Sequence, residues 1–192
     1  MGICKLSQLI DVKPGFPFRG KIEASPNGGV KAVQLKDIAT YGSVDWESVI
    51  AVELGGRKTP EWLKADDMLF SARGTRNFAT WLGHVPGEAV CSPHFFHLTN
   101  PSSKILPAFL AWQINQEPAQ QYLRSSAEGS RLPNIRRKVL EDMPISVPSI
   151  EKQRQIIALD KAWQQEQQVL QALTDNMKRT MTGLAQQLLR DH

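Results

Sequence analysis

Through the C-terminal part of the chain, apolar side chains recur at intervals of seven: Ile156, Trp163, Leu170, Met177 and Leu184. A second row holds Leu159 and Leu173 and is interrupted by Glu166, Thr180 and Gln187. Heptad spacing of this kind predicts a coiled-coil-type helix. No proline interrupts the stretch after Pro148, and Gly183 is its only glycine. Ser149 supplies an N-cap, and Glu151 places a negative charge in the first turn, where the helix dipole favours it. At about 1.5 Å per residue the helix is roughly 60 Å long. It either folds back on its own globular part or pairs with another helix. The second arrangement is expected, because a small domain cannot cover so long a stripe.

The pattern upstream is different. Met143, Ile145 and Val147 alternate with other residues as in a short strand, and Pro144 and Pro148 put that strand at an edge or near its end. Asn27-Gly28 is a hairpin signal before the strand-like Val30–Leu35. Asp67–Ala72 reads as a buried strand ending at Arg73-Gly74, and Ala89–Leu98 as another, with Pro93 marking an edge or a bulge. Leu6–Val12 is a short ordered segment, Lys13–Gly20 a turn-rich loop and Asp37–Trp46 a polar connection. Helical spacing begins only after Pro101. Leu106, Phe109, Leu110 and Ile114 share one face, Pro107 sits in the first turn, and Pro118 opens a second helix containing Tyr122 and Leu123. The predicted class is α+β: a mixed α/β globule, strands mostly first, followed by one long C-terminal helix.

Composition narrows the class of protein. A chain of 192 residues with 41% hydrophobic content holds one ordinary core and an appendage. No run of eighteen apolar residues and no signal-peptide core is present, and the only cysteines are Cys4 and Cys91. A cytoplasmic location without membrane contact is therefore expected. The formal charge of +4 is unevenly spread. Residues 1–149 carry 17 Lys and Arg against 14 Asp and Glu, whereas residues 150–192 carry 6 against 5. The helix is nearly neutral and rich in glutamine, as a pairing surface should be. One basic group comprises Arg57, Lys58, Lys64, Arg73 and Arg76, and another lies between Arg124 and Lys138.

Catalytic chemistry finds little support. Cys91-x-x-His94-x-x-His97 has metal-like spacing, but on a strand Cys91 and His97 face one way and His94 the other. Gly55-Gly-Arg-Lys-Thr59 lacks the outer glycine of a phosphate-binding loop. Asn100-Pro-Ser-Ser103 misses both final positions of the Asn-Pro-Pro-aromatic motif of amino-methyltransferases, and no glycine-rich turn precedes it. No third group orients a Cys–His pair. The expectation is a non-catalytic chain with no cofactor and no metal site. Trp46, Trp62, Trp81 and Trp112 are expected in the core rather than as base-stacking platforms.

Pro148-Ser-Ile-Glu-Lys-Gln-Arg-Gln-Ile156 resembles the Pro-Leu-x-Glu-Gln-x-x-Ile entry to the helices of DNA-specificity (S) subunits in type I restriction–modification systems. It departs from the pattern in that Lys152 separates Glu151 from Gln153. Gly15-Phe-Pro-Phe18, Val33–Ile38, Leu63–Gly74, Ser92–Phe96, Glu128-Gly-Ser130, Leu140 and Ile145-Ser-Val-Pro148 follow the order of that family. Together they are similar to one target-recognition domain and one conserved helical region, half of the usual two-part member.

The resemblance implies a DNA-binding domain over residues 1–148 and a helix over 149–192 for dimerisation and partner docking. Lys and Arg neutralise phosphates, while Arg, Asn or Gln read base edges. Arg73, Arg76 and Asn77 lie on a loop whose glycine permits close approach. With Arg57, Lys58, Arg131, Arg136 and Arg137 they form the expected DNA-binding set, although Arg73 could instead pair with Asp66 or Asp67. Ile156, Leu159, Trp163, Leu170, Leu173, Met177 and Leu184 form the dimerisation set. The implied partners are double-stranded DNA, a second specificity half (a homodimer with antiparallel helices) and a DNA methyltransferase subunit. A stand-alone dimeric DNA-binding regulator and a small nuclease with a hidden metal site remain the alternatives.

Overall fold

A computed structural model describes residues 2–39, 42–55, 59–74, 76–126 and 134–190. It divides into two compact units, Met1–Arg154 and Gln155–His192. The class is α+β, with three small sheets and a long C-terminal helix. In the first unit, strand β1 (Gly2–Lys5) leads through a 3-10 turn to β2 (Asp11–Pro14). Then follow β3 (Val30–Val33), β4 (Ala51–Val52), β5 (Met68–Ser71) and β6 (Ala79–Trp81). After β7 (Ala89–Cys91) and β8 (Phe95–Thr99) come helices α1 (Pro107–Ile114), α2 (Glu117–Ser126) and α3 (Arg137–Glu141). Strand β9 (Pro144–Val147) precedes helix α4 (Ile150–Arg190).

The largest sheet runs β2-β8-β5-β6, antiparallel throughout. A second runs β4-β3-β7, with β3 and β7 parallel. The third is the antiparallel pair β1-β9. Side chains from the first two sheets meet in one apolar cluster that includes Val33, Leu69, Leu82, Cys91 and Phe95. All four residues of β5 are buried, so both faces of this central strand are covered. That accounts for its unbroken apolar run, in place of alternation.

The stretch Ala89–Leu98, expected as one strand, is two. Residues 92–94 break it, so that β7 joins one sheet and β8 the other. Gly15 makes this crossing possible. Its N–H donates to the Phe95 carbonyl (3.1 Å), and that of Phe16 to the Cys91 carbonyl (2.8 Å). A Cβ on Gly15 would sit 2.2 Å from the Ser92 oxygen, so no other residue fits. Asn27-Gly28 does lie in a turn, closed by Gly28 N–H to the Ser25 carbonyl (2.9 Å). It joins no hairpin, because the partners of β3 are β4 and β7.

Trp81, expected in the core, is 42% exposed. It ends the edge strand β6, where its indole N–H donates to Asp66 Oδ1 (3.1 Å) and its ring lies over Gly83. Trp46 packs partly buried against the main cluster. Trp62 and Trp112 are also half-buried, and Trp112 stacks on Phe109.

Two buried polar groups hold the unit together. Asp67 Oδ2 lies 2.7 Å from His97 Nε2 and accepts the Lys64 backbone N–H at 2.8 Å. An ionised carboxylate only accepts, so Nε2 of His97 carries the proton. Burial pushes the Asp67 carboxyl up, but hydrogen bonds from His97 and Thr99, the His97 charge and the Lys64 amide outweigh it and hold it below its ordinary value. The second group is Gln153, fully buried in the first turn of α4. Its Oε1 accepts the N–H of Leu106, the residue before α1 (2.8 Å), and its Nε2 donates to the carbonyls of Lys104 and Pro148 (both 2.9 Å). This is the glutamine that Lys152 separates from Glu151 in the sequence.

A carboxyl whose folded-state pKa is depressed contributes stability above its unfolded pKa, about 3.9, and loses it as pH falls through the folded value. Unfolding followed from neutral to acid pH should therefore show an acid limb that flattens in Asp67→Asn, and that variant should be less stable near neutrality by about 1.5–3 kcal/mol. Gln153→Ala leaves one N–H and two carbonyls without partners. Denaturant titration should show a loss of about 1–3 kcal/mol, and a larger one for Gln153→Glu, which removes both donors and buries a charge.

Candidate nucleic-acid interface and pairing helix

Strands β5 and β6 form a hairpin whose connection, described at residues 72–74 and 76–78, carries the basic side chains Arg73 and Arg76. Ser71, buried at the end of β5, anchors it. Its Oγ lies within hydrogen-bonding distance of the carbonyls of Arg73 (3.3 Å) and Arg76 (3.2 Å), and its single proton serves one at a time. Asn77 Nδ2 donates to the Ser71 carbonyl (2.9 Å), and the Ser71 N–H to that of Phe78 (2.9 Å). On the other side, Ala72 donates to the His94 carbonyl (3.0 Å) and accepts the N–H of buried Ile135 (2.9 Å). Gly74 has φ +118°, a conformation that strains any side chain, and open space surrounds the position a Cβ would take. The backbone is thus fixed beneath a tip that a ligand can approach closely.

Arg73 and Arg76 are both exposed. The carboxylates that could have neutralised Arg73 are engaged elsewhere, Asp66 by the Trp81 indole and Asp67 by His97. Arg73 also forms an isolated antiparallel bridge with Asn134. That bridge, with the bond from Ile135 to Ala72, brings the second basic segment beside the first, although about sixty positions separate them in sequence. Arg136 is the N-cap of α3 and has a partner within the fold. Arg137 pairs with Glu141 (2.7 Å) and Lys138 with Asp142 (3.2 Å), so their charge is partly spent. The side-chain amide of Asn77, expected to face DNA, is used inside the loop. Arg57, Lys58 and Arg131 lie outside the described residues.

The Cys91–His94–His97 series does not converge. Cys91 is buried at the end of β7 with its thiol pushed up to about 12 by burial, His94 is exposed in the turn, and His97 is held by Asp67. Among the described residues no group of three or more His, Cys, Asp or Glu could hold a metal ion, and no helix is long and apolar enough to cross a membrane.

Helix α4 spans 41 residues, about 60 Å at the usual rise. Leu159, Trp163, Leu170, Leu173, Met177 and Leu184 are all exposed, and Ile156 is half-buried. Met181 and Leu188 are exposed as well, and heptad counting missed them. From Leu170 the apolar steps are three, four, four, three and four, through Leu173, Met177, Met181, Leu184 and Leu188. The repeated four is a stutter, which locally relaxes the left-handed supercoil toward a straight eleven-residue repeat. Thr180 and Gln187 therefore interrupt nothing, because the second row has moved one position along.

No protein-family model matches the chain, and no curated protein matches it in sequence. Solved structures do match. The type I restriction–modification S subunit from M. genitalium superposes with a TM-score of 0.59 at 14% identity, over 90% of this chain and 41% of that one. The HsdS subunit from Thermoanaerobacter tengcongensis gives 0.57 at 16%, over 86% and 37%. The chain has the S-subunit fold. A third match, from work on assembly and conformational transition of the type I system, gives 0.56 at 18% over 88% and 39%. The chain thus spans about two-fifths of the length of each of these three structures. At these identities the likeness concerns the fold, and side-chain roles rest on the chemistry of this chain.

Proposed function

We propose that this chain is a sequence-specific DNA-binding component of a type I restriction–modification complex, with residues 1–148 reading one short duplex segment and residues 149–192 pairing with a second specificity unit. The observation that carries the proposal is the convergence of two basic segments, distant in sequence, at one rim of an S-subunit fold. Arg73 and Arg76 extend from an anchored loop, and Asp66 and Asp67 bond the Trp81 indole and His97 rather than either guanidinium, so the arginine donors are available to a ligand. Guanidinium donors match the N7 and O6 acceptors of guanine in the major groove. Arg57, Lys58, Arg131, Arg136 and Arg137 supply the electrostatic background along the phosphates. In this reading, methyl transfer and any cleavage belong to a methyltransferase and other partner subunits.

The α4 stripe supports pairing. A row of leucines, methionines and Trp163 facing water is unfavourable, and a second helix removes it from solvent. Trp163 is bulky for a tight parallel seam, whereas an antiparallel partner can set small residues opposite large ones. Twofold pairing places two recognition units at most roughly 60 Å apart and matches them to an inverted, two-part site.

Binding titrations against the cognate duplex should show Arg73→Ala or Arg76→Ala weakened by about 1–3 kcal/mol for each lost bidentate base contact. Lys58→Ala should weaken all sequences alike and reduce the salt slope by about one. If both arginine variants bind as the parent does, the loop is not the reader. For the helix, the expected outcome is a dimer in sedimentation experiments that becomes a folded monomer on replacing Leu170 and Met177 by lysine, with loss of tight binding to the two-part site. A parent protein that stays monomeric at micromolar concentration rules out the homodimer.

A further inference from the structure

Strand β6 is the outer edge of the four-stranded sheet, and Ala79, its first residue, follows directly on the arginine loop. An edge strand leaves backbone donors and acceptors without a neighbouring strand. Here one side chain takes the neighbour's place. Asn115, the C-cap of α1, accepts the Ala79 N–H at Oδ1 (2.8 Å) and donates from Nδ2 to the Ala79 carbonyl (2.8 Å). Asn115 is itself held by its backbone N–H, which bonds the carbonyls of Ala111 (3.2 Å) and Trp112 (3.0 Å). The loop exit is thus pinned to a helix end.

The same helix makes an equivalent contact elsewhere. Gln113 accepts the Ser146 N–H at Oε1 (2.7 Å) and donates from Nε2 to the Ser146 carbonyl (3.0 Å), on β9. The two amides make the same pair of bonds with a single backbone residue. Only one of them touches a strand that carries the arginine loop.

We propose that Asn115 is a positioning residue for DNA recognition, holding the loop exit, Arg76 to Phe78, in the arrangement from which Arg76 reaches base edges. The proposal rests on the DNA-reading role given above. Bidentate base contacts tolerate displacements of only about 0.5 Å. Phosphate contacts depend mainly on charge and tolerate more. Releasing the loop exit therefore removes discrimination between sequences while leaving general affinity for DNA in place. Gln113 serves as the matched control, because its loss costs the fold the same two bonds at a strand far along the chain from the loop.

The test uses the full chain and a duplex selected by the parent protein from a random-sequence library, with a scrambled duplex as reference. Asn115→Ala should lose about tenfold or more of the preference for the selected duplex, the size of one lost bidentate contact. Its affinity for the scrambled duplex and its salt slope should stay the same, and amide exchange at Arg76–Ala79 should quicken. Gln113→Ala should keep the preference despite a similar loss of stability. Asn115→Asp, which keeps the acceptor but sets a carboxylate against the Ala79 carbonyl, should also lose the preference, and it decides the matter if the alanine variant does not fold. An unchanged preference in the Asn115 variants, or an equal loss in the Gln113 variant, overturns the positioning role. If Arg73→Ala and Arg76→Ala also keep the parent's preference, the DNA-reading role falls and takes this one with it.

Discussion

Three small sheets leave many strand edges, and every buried edge group needs a hydrogen-bond partner. Around α1, side-chain amides meet part of that demand, at β6, at β9 and at the helix entrance. Gln153 satisfies the N–H at its entrance, Gln113 pairs with β9 from its body, and Asn115 pairs with β6 from its end. An amide suits this task because it donates and accepts from one planar group. A carboxylate would satisfy the N–H and repel the carbonyl. The glutamine of the helix-entry motif therefore has a mechanical reason: it joins the start of α4 to the start of α1.

The arginine loop illustrates how neutralisation is avoided. Asp66 and Asp67 stand a few residues before Arg73 in sequence and would be its obvious partners. Asp66 adopts φ +69°, a conformation that aspartate tolerates better than most residues, and its carboxylate receives the Trp81 indole. Asp67 points inward and spends its charge on buried donors. With both carboxylates bonded elsewhere, the guanidinium donors of Arg73 and Arg76 stay free of an ion pair with them.

Local chemistry was legible in the sequence where it acts over a few residues. The strand before the long helix, the proline-started helices and the strand ending at Arg73-Gly74 all follow from spacing and turn residues. What was not legible depends on partners far away. Whether Ala89–Leu98 is one strand or two turns on the close approach of Gly15 to Ser92, 77 positions apart. The parallel pairing of β3 with β7 leaves no local trace. Trp81 looked like a core residue because size and apolarity do not reveal that its strand is an edge. Met181 and Leu188 could have been found, since a four-residue step in place of three was visible all along. Of the site, the basic residues were readable by type and their convergence was not, because the Arg73–Asn134 bridge joins segments that nothing in the sequence connects.

Strand β1 pairs with β9 so that Lys5 lies opposite Pro144. The polypeptide between them leaves and returns at a single rung of a two-stranded ladder. Loops remote from α1 can change in length without moving that rung, because α1 and the residues just before it tie the excursion to β9 and to the helix start. For a long closed excursion, further residues add little to the entropy of closure, which grows only with the logarithm of length. The segment from Leu6 to Met143 is thus a closed excursion whose ends meet at one rung, and its helix α1 clasps the ladder a second time through Gln113 and Ser146.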